Sequence, residues 1–153
     1  MAGEHARQLV REAAVSDLTG LTTTGTNVFT SRVSPLRPGE MPGLKVALRE
    51  ESSDFDTIGD APTLARTGRL LVEGWAQGGD GLEDKLDRMS AEVEAKIYAP
   101  GGALDLVLMN IGAVVTSIDL PEPEEGNARR TGVIRMLFPV VYRTAVSDPT
   151  NIA

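Results

Sequence analysis

The chemistry open to a protein is bounded first by which reactive side chains it has. This chain has one histidine, His5, and no cysteine. Thiolate nucleophiles, thiolate zinc sites and disulfides are therefore excluded, and a histidine-based triad or metal site would need more than His5 alone. His5 lies near the start, where chains usually fray, and reads as a surface residue beside a helix start. Thr22 to Thr26 has the threonines and glycine of a phosphate loop. It lacks the Gly-Lys-Ser/Thr ending and follows a helical pattern instead of opening one, so its amides are not aimed at an anion and it reads as a connecting turn.

Carboxylates are plentiful. Glu50, Glu51, Asp54, Asp56 and Asp60 fall in one segment, and Glu122, Glu124 and Glu125 in another. Paired acids serve glycosidases or hard cations only when rigid elements hold them around a cleft. These acids sit among chain-breaking residues, lack calcium-loop spacing, and read as solvated loops with at most an adventitious cation site. Arg129 and Arg130 precede the last predicted strand, and Arg32, Arg37, Arg66 and Arg69 lie near other strand ends. Alone, they are surface charges or edge protectors; in an assembly, they are candidates to face the acidic loops of a neighbouring copy.

The elements that must position these groups follow from periodicity. Val10, Ala13, Ala14, Leu18 and Leu21 share one helical face, predicting a first helix over Glu4 to Leu21. Gly20 and the β-branched run Thr22 to Thr24 end it. Asn27 to Val33 reads as a short strand. Pro35, Pro38, Gly39, Pro42 and Gly43 then hold an extended connection that precludes a helix. Leu44, Val46 and Leu48 alternate with Lys45, Ala47 and Arg49 as a half-buried strand, after which the acidic stretch Glu50 to Pro62 reads as a loop at the sheet edge.

A longer strand is predicted over Leu64 to Ala76, with Leu70, Val72 and Ala76 on one face and Leu71 and Trp75 on the other. Apolar residues on both faces imply cover from both sides. Asp80 and Glu83 fit a capping box that opens a second helix, whose stripe is Leu82, Leu86, Met89, Val93 and Ile97. Leu104 to Ile111 leaves helix and buried strand both open. Ala113 to Leu120 reads as a strand, Pro121 to Asn127 as a loop, and Val133 to Arg143 as a long strand in which Pro139 requires an edge position or a bulge. Residues after Thr144 form a small polar tail. The order predicts one α+β domain over 1–153, a largely antiparallel sheet with two helices on one face, with mobile loops over about 50–62 and 121–129.

At 153 residues the chain is long enough for a sizeable core. Its 22 acidic and 15 basic residues leave a net charge of −7, which argues against stand-alone nucleic-acid binding and favours protein partners. There is no signal-peptide pattern at the start, and the apolar runs fall short of the ~20 residues of a membrane helix, so the expectation is a soluble protein made in the cytoplasm, without a membrane partner.

Order and spacing carry more than any single residue. The helix and turn HARQLVREAAVSDLTGLTTTG, the strand NVFTSRVSPL, the strand PGLKVALREE and the closing RRTGVIRMLFPVVYRTAVSDP resemble tail terminator, or minor tail and tail completion, proteins of long-tailed bacteriophages and related prophage or gene-transfer elements. The more specific parts are LTGLTTTG running into the Val28–Phe29 strand, the PGLKV entry, and Phe138, Val140, Tyr142, Arg143 and Thr144 at the end. Pro139 and the apolar Leu104 to Ile111 depart from the expected pattern.

The resemblance implies a structural, non-enzymatic virion subunit without cofactor or metal. It would form a homo-oligomeric ring, typically a hexamer, on the head-proximal end of the tail tube. The ring would stop tube polymerisation and present a docking surface to the head–tail connector. Assembly would take place in the host cytoplasm. DNA would pass through the lumen without specific binding, and an acidic lumen would repel it. Candidate assembly contacts are Arg37, Glu50, Glu51, Phe55, Glu122, Glu124, Glu125, Arg129 and Arg130. The alternatives are another phage head–tail joining protein, a small α+β ligand-binding or regulatory domain, and an enzyme working with carboxylates alone.

Overall fold

A computed structural model describes residues 4–122 and 129–153. Helix α1 spans Ala6–Leu18 and buries Val10, Ala13, Ala14 and Leu18 of the predicted stripe together with Ala6, but it ends before Leu21, which instead bridges to Gly25 in the turn that follows. Helix α2, Leu82–Ile97, buries Leu82, Leu86, Met89, Val93 and Ile97, each removal from water stabilising the fold by roughly 1.5–3 kcal/mol. Its start differs from the expected capping box. Gly81 is the N-cap and no side chain accepts from the first turn, because the turn closes at Gly79, whose carbonyl accepts from the Leu82 amide. Asp80 thus stands one residue too early, while Glu83 and Asp84 in the first turn complement the helix dipole.

The helices pack on one mixed, mostly antiparallel sheet. Strands β1 (Val28–Thr30), β2 (Gly43–Thr57), β3 (Thr63–Gly78) and β6 (Arg130–Ala145) lie side by side in that order, with β4 (Asn110–Ile111) and β5 (Val115–Asp119) both on the far side of β6. Among the described strands, only β1 and β2 run parallel. Leu44 and Val46 of β2, Leu70, Val72 and Ala76 of β3, and Ile134, Met136, Phe138, Val140 and Tyr142 of β6 form one buried cluster with the helical stripes. Leu71 and Trp75, on the opposite face, stay partly exposed. The ambiguous segment resolves as a short helix α3, Ala103–Val107, followed by β4. The Ala103 and Leu104 amides donate to the Asp17 carboxylate at 2.8 and 3.0 Å, so α1 caps α3 from a distance.

Several expectations need correction. Glu50 to Pro62 is no loop as far as Thr57: its first part is the distal half of β2, paired with β3 to Thr57↔Thr63. The proline-rich connection holds a 3-10 turn over Pro38–Glu40, begun by a proline whose missing N–H is no loss there. Strand β6 is interior, and Pro139 continues its register with Arg69 without a bulge. The Pro139 carbonyl accepts from Gly112 at 2.7 Å. Because the N and O of one strand residue face the same neighbour, the missing donor points at the gap between β4 and β5, where the ladder is already broken. The start of α1 and the last residues are tied to the fold. The Ala6 amide donates to the Pro149 carbonyl at 2.7 Å, that of Ala153 to the Arg143 carbonyl at 2.8 Å, and Ile152 packs against the core.

Gly43 starts β2 where the chain leaves the 3-10 turn, and a Cβ there would stand 2.3 Å from the Glu40 carbonyl oxygen and 2.9 Å from Leu36 Cδ1. Backbone cannot yield as a side-chain tip does. Gly43→Ala should therefore cost about 1–3 kcal/mol, read as a melting temperature roughly 3–10 °C lower.

Candidate functional site

The titratable groups that the fold brings together centre on Glu51, and a single extra residue puts it there. Along β2, Leu44 and Val46 face the helices and Lys45, Ala47 and Arg49 face away. The register with β3 then shifts between Arg49 and Glu51, with Glu50 in the left-handed region at φ 50°. This bulge inverts the alternation. Glu51 pairs with Gly68 and turns to the helix side, where without the extra residue it would have shared a face with Arg49.

There its carboxylate gathers three donors. The Tyr142 hydroxyl donates to Oε1, and Arg7 and Arg66 donate to Oε2 at 2.7 and 3.2 Å. Arg66 also donates through Nε to Thr144 Oγ1 at 2.9 Å. Tyr142 and Thr144 are fully buried, and Arg66 nearly so. Burial pushes the Glu51 carboxyl up, but the Tyr142 hydrogen bond and the two guanidiniums outweigh it and hold the group below the usual carboxylate range. The same contacts work in reverse on Tyr142: burial first, then the hydrogen bond to the carboxylate, push its hydroxyl well above the ordinary phenol value. His5 sits alongside as the N-cap of α1, its Nδ1 accepting from the Arg7 amide at 3.1 Å. Burial and the neighbouring Arg7 charge lower its pKa. The cluster joins the start of α1, the bulged part of β2, β3 and the end of β6. Every member is satisfied by another, so its chemistry is that of a clamp.

The remaining candidates fall at opposite ends of the sheet. At the hairpin end, Glu50 is exposed and loosely paired with Arg69 at 3.5 Å, and Phe55 is 69% exposed. At the other end, Arg37 is exposed while its amide donates to Glu40. Glu40 is itself gripped by Arg32 at 2.6 and 2.8 Å, which with the Arg37 amide lowers its carboxyl to about 2. Glu122 and Arg129 are exposed, and Arg130 donates to the Pro121 carbonyl at 3.2 Å. Glu124 and Glu125 lie outside the described residues. The acids of the first segment thus divide: Glu51 is internal, Asp56 pairs with Arg143 at 2.5 Å, and Asp54 and Asp60 have no ion pair among the described residues. The threonine-glycine stretch is a turn closed by a Leu21–Gly25 bridge, and the Thr23 amide donates to the Glu92 carboxylate at 2.8 Å. A protein carboxylate therefore holds the donor that a phosphate loop would offer.

Sequence reasoning missed Arg7, Arg66, Tyr142 and Thr144 as one group. The only signal was that Tyr142 and Thr144 stand two apart on one strand face, in the closing phrase that carries the resemblance. No protein-family model matches this chain, and no curated protein matches it significantly.

Two outcomes follow. Tyr142→Phe leaves a largely buried carboxylate short of one donor and should cost about 1–3 kcal/mol, measured by denaturant unfolding at neutral pH. Glu51 has a folded pKa below its unfolded value, so its stabilisation is complete above about pH 4.5 and is lost as pH falls through the lowered value. Glu51→Gln should flatten that part of the acid limb in denaturant unfolding followed against pH.

Proposed function

We propose that the chain is a structural subunit that closes the head-proximal end of a long-tailed phage tail tube as a ring. It stops tube growth and offers the head–tail connector its docking surface. The observation that carries the reading is the hairpin arm. The sheet continues past the helical layer as β2 and β3, where Ser52 to Ala61 are exposed throughout and Phe55 and Ile58 are 69% and 93% exposed at the tip. A well-paired arm with an apolar tip suits docking against protein. The Glu51 clamp supports the same role, since it fixes the root of the arm to α1 and β6. The resemblance in element order gives the particular tail position. Membership of another head–tail joint would keep the arm and change only the surface it meets.

Tail-tube protein polymerised with and without the chain tests this. The expected result is shorter tubes whose ends carry a ring in electron micrographs; an unchanged length distribution with bare ends rejects it.

A further inference from the structure

One strand carries two unmatched features. Strand β1 ends at Thr30 opposite Val46, where Ser31 turns the chain away at φ 56°. From Ala47 onward the outer edge of β2 has no partner strand among the described residues. This early end opens a groove of about 300 Å³ whose lining includes Arg11, Arg32, Val33, Lys45, Arg49 and Glu73. Arg32 is matched by Glu40 and Glu73 by Arg135. Arg11, Lys45 and Arg49 have no carboxylate within ion-pair distance among the described residues, and Arg11 Nε is buried without a hydrogen-bond partner. The wall also carries Val33, which is 98% exposed.

The hairpin tip is the complement. No lysine or arginine occurs from Glu50 to Leu64, Asp54 and Asp60 have no ion pair among the described residues, and Phe55 and Ile58 stand in solvent. At about 3.3 Å per residue, the run from Arg49 to Ile58 carries the tip roughly 30 Å from its own groove. A chain cannot fold its tip back into it.

We propose that the groove receives the acidic, apolar tip of the β2–β3 hairpin from a second copy of this chain. Asp54 and Asp60 meet Lys45, Arg49 and Arg11, and Ile58 meets the apolar wall at Val33. The two surfaces differ, so the contact is head-to-tail and propagates from copy to copy, closing into a ring where the rotation per copy allows. The inference rests on the ring reading above and names the contact that would build the ring.

Opposite charge reversals test it, with sedimentation velocity as the readout. Asp54→Lys with Asp60→Lys reverses the tip, and Lys45→Glu with Arg49→Glu reverses the groove. Each variant alone should associate about 100-fold more weakly than the unaltered chain, since like charges then face each other. An equimolar mixture should regain assembly, because each reversed tip then meets a reversed groove and each native tip a native groove. Regain also requires that both variants be folded. The single exchanges Asp60→Lys and Arg49→Glu, at exposed positions, should give the same pattern at smaller amplitude. An unaltered chain that stays monomeric, variants that assemble as well as it does, or a mixture that gains nothing would each overturn the contact. A chain that shortens tubes while its reversed variants assemble normally keeps the capping role and loses this contact. One that assembles through tip and groove yet never shortens tubes does the opposite.

Discussion

The unbroken register between β3 and β6 is the constraint on which the rest of the molecule hangs. Sixteen consecutive pairs run from Thr63↔Ala145 to Gly78↔Arg130 without a slip. Because side chains alternate with period two, a slip of one residue would put Leu71 and Trp75 under the helices and turn Leu70, Val72 and Ala76 to the outside. The continuity also places Arg66 opposite Tyr142 and Leu64 opposite Thr144 at one end, while Gly74 lies opposite Ile134 at the other. A Cβ on Gly74 would come within 3.0 Å of Ile134 and Met89, so its absence lets α2 settle close to the sheet. Core and clamp are two ends of one ladder.

Against that regular pair, the irregularity in β2 stands out as the device that makes the arm. The alternation Leu44, Val46, Leu48 fades at Glu50 and Glu51, and period-two reasoning ends the strand there. In the structure the strand continues with inverted parity. Glu51 joins the helix side, and Asp54 shares the outer face with Lys45 and Arg49. A bulge is a matter of backbone conformation at one residue, and Glu50 is not of a type that marks the left-handed region. Nothing local separates it from a strand end.

What was legible follows the same division. The α2 stripe, and the α1 stripe as far as Leu18, are legible because packing on one face imposes a period that sequence records directly, whereas the end of α1 before Leu21 is set by the turn beyond it. The strands Leu64 to Ala76 and Val133 to Arg143 were read for the same reason. The α+β layer arrangement followed from their order. The parts not legible depend on partners far along the chain: Glu51 with Tyr142, Asp17 with the start of α3, Pro139 with the gap between β4 and β5. Proline at 139 was correctly read as a lost donor, but which neighbour loses it depends on strand order. The cluster around Glu51 was hidden for a further reason, since its acid looked like one of a solvated run.

Net charge likewise says less than its distribution. By register, Lys45, Arg49, Arg69, Arg135 and Arg143 share the open sheet face with Asp54, Glu73 and Asp119, and Asp56, at a second irregularity in β2, pairs with Arg143. That face therefore has no acidic excess, although the whole chain carries −7. The outer surface of α2, with Glu83, Asp84, Asp87 and Glu94 against Lys85, Arg88 and Lys96, holds acids in slight excess. Among the described surfaces, the helical layer and the hairpin tips are the ones that would repel DNA electrostatically if turned toward the lumen of a ring. A ring lined by the open sheet face would present near-balanced charge, and screening at physiological salt over about 8 Å would leave passing DNA to feel mainly the nearest side chains. Repulsion of DNA in such a ring is therefore set by the layer that faces inward, not by the net charge of the chain.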